Sequence, residues 1–221
     1  MQTGRKMKMD RTIKNTKIKI CGITNFSDAF AASKMGAWAL GFVFYRKSLR
    51  FVEPEIAKDI SIAIKRHFEN PPVLIGVFVN EDAQEVSRIK EFVGLDHLQF
   101  HGDESSDYLR QFSGEIAAIR ANMGDDFIVH NGSIDAMEYI LLDHFSKDSY
   151  GGNGKLADWS VAQKIKEKGR NLILSGGLSS ENINEAIKFV DAKAYDLSSS
   201  VENFPGDKCH SKLEKLFERL N

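Results

Sequence analysis

The chain lacks the features that mark secreted, membrane and nucleic-acid-binding proteins. It has only two cysteines, Cys21 and Cys209, so it has neither a disulfide framework nor a cysteine cluster with metal-ligand spacing. No apolar run approaches the length that crosses a bilayer. Thirty basic residues balance 31 acidic ones, which excludes the strong positive charge of a nucleic-acid surface. We expect a soluble protein of the reducing cytoplasm with small-molecule or protein partners and no membrane contact.

The first sixteen residues also lack the apolar segment of a secretory signal, although they carry five basic residues. Asp10 interrupts this positive stretch, which argues against a transit peptide. We predict that residues 1–16 form a disordered extension, or that Met7 or Met9 is the true first residue. Residues 17–221 have no low-complexity linker or abrupt change in composition, and their length suits one domain.

Short apolar segments alternate with longer amphipathic segments from Lys17 onward. The apolar segments predict eight strands, at residues 17–23, 39–44, 73–79, 97–102, 116–122, 139–145, 172–177 and 194–199. The amphipathic segments predict helices at residues 25–36, 53–67, 82–94 and 179–190, and at the C-terminus from His210. The fifth unit is the weakest, because residues 124–138 predict only a short or irregular helix.

This pattern predicts an α/β fold of the closed (β/α)8 type, the TIM barrel, in a single domain. An open sheet is less compatible, because open sheets usually have fewer strands and often carry a glycine fingerprint after the first strand. No such fingerprint follows residues 17–23.

Polar residues stand at the predicted carboxyl ends of the strands, where barrels of this type place their chemistry. These residues are Cys21, Arg50, Asn80, His101, Arg120, Asp143, Ser175, Asp196 and Ser198. A carboxylate that ends an apolar run is costly to bury unless it is hydrogen-bonded or used. The recurrence of such residues at equivalent strand ends predicts one shared pocket.

The first strand also predicts which side chains enter the barrel. Alternation along KIKIC sends Ile18 and Ile20 towards the helices, and Lys19 and Cys21 towards the interior. A buried ammonium near Cys21 is expected to favour the thiolate, which makes the thiol a usable base or nucleophile. The position is equally compatible with a cysteine that has only a packing role, since free cysteine is among the most buried residue types.

Two small-residue segments, SGG at 175–177 and SSS at 198–200, follow the seventh and eighth strands. Barrels often bind phosphate there through backbone N–H groups. GGNGK at 151–155 is not a nucleotide-binding loop, because Leu156 stands where Ser or Thr should follow the lysine. We expect a flexible, lid-like loop that carries Lys155.

The sequence offers no metal site. His97 and His101 are four residues apart, but an extended strand separates them by roughly 13 Å. From its position alone, His101 is expected to line a pocket or form a hydrogen bond. The position of Arg50 is equally compatible with a solvent-exposed charge in a loop and with a residue that anchors a ligand.

Eight motifs recur in a fixed order from Lys17 to the C-terminal helix: KICGIT (19–24), GFVFYRKSLR (41–50), GVFVN (76–80), LQFHGDE (98–104), LLD (141–143), GGNGK with DW (151–159), LSGGL (174–178) and DLSSSVENFPGDK (196–208). In content, order and spacing they resemble the phosphoribosylanthranilate isomerase family of tryptophan biosynthesis. The resemblance implies a general acid/base Amadori rearrangement of phosphoribosylanthranilate, with no metal or organic cofactor.

The resemblance also implies roles for individual residues. Cys21 corresponds to the general base, Asp143 to the general acid, and Arg50 to the residue that binds the anthranilate carboxylate. His101 and Asp196 match supporting positions in the pocket. The phosphate-binding turns correspond to Gly176, Gly177, Ser198 and Ser199.

One departure concerns the phosphate end: Ser200 stands where the family has glycine, which would permit a positive φ or a close approach to phosphate. Two alternatives stay open at this point. One is another phosphosugar isomerase or epimerase on the same fold, and the other is a catalytically silent barrel that only binds a ligand or a protein. The oligomeric state is expected to be monomer or homodimer.

Overall fold

The computed structural model describes residues 16–121, 136–144 and 159–220. Eight parallel strands form a closed barrel in sequence order, and β1 pairs with β8 to complete it. The strands are β1 (Ile18–Cys21), β2 (Ala39–Val43), β3 (Val73–Phe78), β4 (His97–Phe100), β5 (Ile116–Ala121), β6 (Tyr139–His144), β7 (Asn171–Leu174) and β8 (Ala194–Leu197). The predicted (β/α)8 barrel is therefore confirmed.

Seven α-helices lie within the described residues: α1 (Phe26–Lys34), α2 (Pro54–His67), α3 (Ala83–Val93), α4 (Ser106–Arg110), α5 (Trp159–Glu167), α6 (Ile183–Val190) and α7 (His210–Glu218). Side-chain oxygens of Asn25 and Asp82 accept hydrogen bonds from the first turns of α1 and α3, which explains where these helices begin. No helix of this set is long and apolar enough to cross a membrane.

Several predicted boundaries are wrong in detail. Helix α6 begins later than predicted because residues 179–182 form a turn, in which Ser179 N donates to Asn182 Oδ1. Strand β7 ends at Leu174 rather than at residue 177, since Gly176 and Gly177 adopt left-handed φ values of +83° and +64°. These turns place polar groups at the end of the barrel.

The barrel has one apolar core outside the strands and another inside them. Ile18 and Ile20 pack in the outer core against helix residues such as Ala29 and Ala32, whereas Lys19 is wholly buried. The predicted alternation of the first strand is thus confirmed. The inner core is a layer of buried residues from six of the strands: Ala39, Ile75, Ile116, Leu141, Ile173 and Ala194. This layer fills the interior, so only the strand ends are left for a pocket.

The connection after β8 contains an element that the sequence did not predict. A short 3-10 helix (Ser199–Val201) leads into an antiparallel hairpin of β9 (Glu202–Phe204) and β10 (Asp207–Lys208). Thr24 Oγ1 donates to the carbonyl of Gly206 at 2.5 Å, so the hairpin rests on the connection that follows β1. It thereby brings residues of the eighth connection to the mouth of the barrel.

Some predictions concern residues outside the described ones. They include the disordered extension, of which residues 1–15 are not described, most of the fifth connecting segment, and the lid-like loop with Lys155.

Candidate active site

Seven residues that were singled out in the sequence line one open pocket at the carboxyl end of the barrel: Cys21, Arg50, His101, Asp143, Ser175, Asp196 and Ser198. They come from β1, β6 and β8 and from the connections after β2, β4, β7 and β8. Parallel closure brings all strand ends to the same side, which is why residues so distant in sequence meet. The predicted shared pocket is confirmed for these residues, whereas Asn80 does not line it and the side chain of Arg120 is not among the described ones.

The floor of the pocket holds a buried ion pair beside a thiol. Lys19 Nζ donates to Asp196 Oδ2 at 2.8 Å, and both side chains are buried. Burial lowers the pKa of Lys19, but the charges of Asp196 and Cys21 and the hydrogen bonds to them together outweigh burial, so the net pKa is raised and the ammonium persists. A Cβ on Gly41 would lie 2.8 Å from Cys21 Sγ and 3.2 Å from Lys19 Nζ, so the thiol and the ammonium share the space that this glycine leaves.

Lys19 lowers the pKa of the Cys21 thiol, as expected, but the expected net shift towards the thiolate is wrong, because the net pKa is raised. Burial raises the pKa of the Cys21 thiol, and the lowering by Lys19 does not compensate for it. Burial is the largest cause, and Asp196 adds to it, because its charge also raises the thiol pKa while it engages the ammonium of Lys19. The thiol is therefore the dominant form near neutral pH in the free protein.

A second set of polar groups lies on the opposite wall of the pocket. His101 Nε2 lies 3.3 Å from Asp143 Oδ2, and the other ring nitrogen lies 2.9 Å from the amide nitrogen of Gln99. Gln99 is buried and lines the pocket, but it was not among the residues that the sequence pattern indicated. Its signal was a lone amide within the apolar strand HLQF, where an unpaired polar side chain is costly.

Arg50 does not extend freely into the pocket. Its Nε and Nη2 atoms bind the carboxylate of Glu202, with Nη2 2.7 Å from Oε2. Lys208 Nζ lies 2.6 Å from Oε1 of the same carboxylate and donates to the carbonyl of Cys21 at 2.5 Å. Burial raises the pKa of Glu202, but Arg50 and Lys208 outweigh it, so its pKa is lowered. Glu202 and Lys208 lie in the motif DLSSSVENFPGDK, but the sequence analysis assigned them no role.

The residues of the two turns predicted to bind phosphate differ in whether they line the pocket. Ser198 lines the pocket together with Ser175, and its hydroxyl donates to the carbonyl of Cys21 at 3.0 Å. Gly176 and Gly177 form the left-handed turn after β7, next to Ser175, and Ser199 begins the 3-10 helix after β8. The turns therefore border the pocket, although only their first residues line it.

Ser200 does not have the backbone conformation for which a glycine would be needed. It lies within the 3-10 helix Ser199–Val201, and among the described non-glycine residues only Asn80 and Asp191 have a positive φ. The expected advantage of glycine through a positive φ is therefore absent at this position.

The fold and the pocket together define the class of protein to which this chain belongs. A closed parallel barrel presents a thiol, two carboxyl groups, an imidazole and an arginine to one opening. These groups can transfer protons and bind an anion. The arrangement is that of a (β/α)8-barrel enzyme with acid/base chemistry at the carboxyl ends of its strands.

Comparison with known proteins narrows the class. The family model for N-(5'-phosphoribosyl)anthranilate (PRA) isomerase matches residues 18–219. The N-(5'-phosphoribosyl)anthranilate isomerase of Thermotoga maritima is 39% identical over 203 residues, which cover 91% of this chain and 96% of that protein.

Solved structures agree with the sequence comparison. The phosphoribosyl anthranilate isomerase of Thermus thermophilus superimposes with a TM-score of 0.80 at 33% identity, covering 93% of this chain and 98% of that chain. A phosphoribosyl anthranilate isomerase in complex with reduced 1-(o-carboxyphenylamino)-1-deoxyribulose 5-phosphate superimposes with a TM-score of 0.75 at 33% identity, with the same coverage. The chain belongs to the N-(5'-phosphoribosyl)anthranilate isomerase family, which makes it an isomerase of tryptophan biosynthesis.

Proposed function

We propose that this chain converts phosphoribosylanthranilate into 1-(2-carboxyphenylamino)-1-deoxyribulose 5-phosphate, with Cys21 as general base and Asp143 as general acid. In reaction class this is an aldose–ketose isomerisation, an intramolecular oxidoreduction. The observation that carries the proposal is that Cys21 on β1 and Asp143 on β6 face one pocket that also contains Arg50. An acid and a base on different walls can act on different atoms of one bound substrate.

The proposed chemistry uses one proton donor and one proton acceptor. Asp143 protonates the ring oxygen of the ribose, so that the C1′–O bond breaks and the arylamine nitrogen forms a Schiff base with C1′. In protein molecules whose Cys21 has lost its proton to solvent, the thiolate then removes the proton from C2′, which gives an enolamine. Tautomerisation of the enolamine to the ketone completes the rearrangement, and no atom is gained or lost. The scheme requires no metal or organic cofactor.

Binding of the substrate follows from the charges around the pocket. Arg50 is proposed to hold the anthranilate carboxylate, because a planar guanidinium can bind both carboxylate oxygens. The sugar phosphate is proposed to bind at the turns formed by Gly176, Gly177, Ser198 and Ser199, where left-handed glycines and strand-end N–H groups suit an anion. Both ends of the substrate would then be held while protons move at its centre.

The remaining pocket residues are proposed to support the acid and the base. His101 contacts Asp143, and Asp196 holds the ammonium of Lys19 beside Cys21. Asp196 Oδ1 is buried and has no hydrogen-bond partner among the described residues, so it can accept a hydrogen bond from a ribose hydroxyl. A cytoplasmic location and a monomeric or homodimeric state remain part of the proposal.

The proposed function is tested by incubating the purified protein with freshly prepared phosphoribosylanthranilate and measuring the loss of its fluorescence together with formation of the ketose product. We expect conversion at a rate that depends linearly on enzyme concentration. Turnover of a phosphosugar without the aryl group, in place of phosphoribosylanthranilate, would support the alternative isomerase or epimerase. Ligand binding without turnover of either substrate would support the silent barrel.

A further inference from the structure

We infer that Glu202 is a positioning residue that joins the carboxylate-binding Arg50 to the Cys21 end of β1, so that substrate anchor and base are held in one fixed relation. The inference rests on the proposed function, because it assigns a purpose to the orientation of Arg50. Glu202 lies 152 positions from Arg50 in the chain, on the hairpin that the eighth connection folds over the barrel mouth.

Glu202, Arg50 and Lys208 form a cluster that we call the hub, in which the Glu202 carboxylate binds both basic side chains. Its side chain is only 3% exposed and binds Arg50 through two guanidinium nitrogens and Lys208 through its ammonium. Gly206 N also donates to Oε1, at 3.2 Å. A buried carboxylate with this many donors has few alternative positions, so it fixes the groups that it binds.

Lys208 connects this hub to Cys21, the proposed general base. The Lys208 ammonium is wholly buried and donates both to Glu202 and to the main-chain carbonyl of Cys21. Arg50 also approaches the end of β1, because a Cβ on Gly22 would lie 2.6 Å from Arg50 Cδ. Glycine after Cys21 thus lets the arginine stem cross the end of β1, so both Arg50 and Lys208 contact this strand end.

The geometry of the guanidinium leaves a free side for substrate. Glu202 binds the Nε and Nη2 atoms of Arg50, and Nη1 takes no part in this ion pair. The same carboxylate also binds Lys208, so its charge is shared between two basic side chains. Glu202 therefore orients Arg50 without cancelling its charge, and a substrate carboxylate can bind end-on at the Nη1 side.

Binding of two ligands that differ only in a carboxylate distinguishes the positioning of Arg50 by Glu202 from a general effect of Glu202 on folding. One ligand is reduced 1-(o-carboxyphenylamino)-1-deoxyribulose 5-phosphate, and the other is its phenylamino counterpart without the carboxylate. We expect Glu202→Gln to weaken binding of the carboxylated ligand at least about fivefold, as measured by calorimetry, because the oriented guanidinium is lost. Binding of the carboxylate-free ligand should change by less than about twofold. Equal weakening for both ligands would overturn the inference, and so would tighter binding of the carboxylated ligand, which would make Glu202 a competitor of the substrate.

A double-mutant cycle tests whether Glu202 acts through Arg50. In an Arg50→Ala background, Glu202→Gln should change the affinity for the carboxylated ligand by less than about twofold. Multiplicative effects of the two substitutions would contradict the inference. Glu85→Gln is the matched control, because Arg88 binds Glu85 through the same two guanidinium nitrogens, but on the exposed surface of α3. It should leave both affinities unchanged.

Glu202→Gln leaves a buried lysine without its carboxylate, so circular dichroism must first show that the variant is folded. If it is not folded, Glu202→Asp replaces it, since aspartate keeps the charge but is too short to span both cations in the present geometry. The same selective loss is expected with this variant, and its absence would overturn the inference. If the wild-type protein binds the ligand but does not turn over phosphoribosylanthranilate, the proposed function fails while the affinities still decide the role of Glu202. If it binds neither ligand, both fail.

Discussion

Lys19 and Asp196 form a buried ion pair with 2.8 Å between Nζ and Oδ2, and the Cys21 thiol lies beside this pair rather than beside an unpaired ammonium. Because Asp196 already engages the ammonium, Lys19 keeps its charge without forcing the thiol to ionise. The proposed base is therefore a neutral thiol in the resting protein, and it must lose its proton before it can accept one from C2′.

Replacing Cys21 should abolish most of the turnover. We expect Cys21→Ser and Cys21→Ala to lower kcat at least about 10²-fold, because neither side chain is an effective base near neutral pH. Stopped assays at saturating phosphoribosylanthranilate would measure the loss, and circular dichroism would show that the barrel remains folded. A kcat near that of the wild type in Cys21→Ser would remove this residue from the mechanism.

The ionisation of Cys21 can be measured directly. In a Cys209→Ser background, which removes the second thiol, the rate of alkylation by iodoacetamide reports the thiolate of Cys21. Burial raises the pKa of Cys21, so the midpoint should lie above the ordinary cysteine value of about 8.5, and kcat/KM should still rise with pH at that point. Lys19→Met should move the midpoint higher still, since it removes the charge that lowers the thiol pKa. A midpoint below about 8.5 in the wild-type background would contradict this prediction.

Asp143 should be needed for ring opening. Asp143→Asn keeps the size of the side chain and its ability to form hydrogen bonds, but removes the carboxylic proton, so kcat should fall at least about 10²-fold. Binding of the reduced product analogue, measured by calorimetry, should change far less than kcat. If turnover survives while binding is lost, Asp143 acts as a binding residue and the assignment of the acid is wrong.

Arg50 should act on binding more than on chemistry. We expect Arg50→Ala to raise KM roughly 10- to 100-fold with a smaller change in kcat, because the substrate carboxylate is present in both the ground state and the transition state. Steady-state kinetics over a wide range of substrate concentration separates the two parameters. A steep fall in kcat at unchanged KM would show that Arg50 does more than anchor a carboxylate.

A pH-dependent contribution to stability is expected at the opposite end of the barrel, where His97 Nδ1 lies 3.2 Å from Glu115 Oε2. The hydrogen bond to Glu115 raises the pKa of His97. A raised folded-state pKa stabilises the protein fully below the unfolded value of about 6.5, and the contribution is lost as pH rises through the folded-state pKa.

His97→Gln should therefore lower the free energy of unfolding by about 0.5–1 kcal/mol near pH 6, and by less near pH 9. Urea unfolding of the wild type and the variant at both pH values measures the difference. An equal loss at both pH values would show that packing, and not protonation, is responsible.

Much of the site was determined by the sequence alone. Alternation along IKIC assigns Ile18 and Ile20 to one side of the strand and Lys19 and Cys21 to the other, because side chains on a strand point alternately to opposite faces. Eight strand–helix units imply a closed parallel barrel, and closure brings every strand end to one opening. Asp143 and Asp196 could therefore be placed in the same pocket as Cys21 without any knowledge of distances.

Only the tertiary structure decided what these residues contact. Local periodicity carries no information about Glu202 and Arg50, which meet because a hairpin in the eighth connection folds across the barrel mouth. The direction of the Cys21 pKa shift also followed only from the tertiary structure, since burial and the opposite charges of Lys19 and Asp196 all act on the thiol. The sequence determined which face each residue occupies. The fold determined which opposite charge each buried group contacts, because ion pairs between distant segments form only when the chain closes.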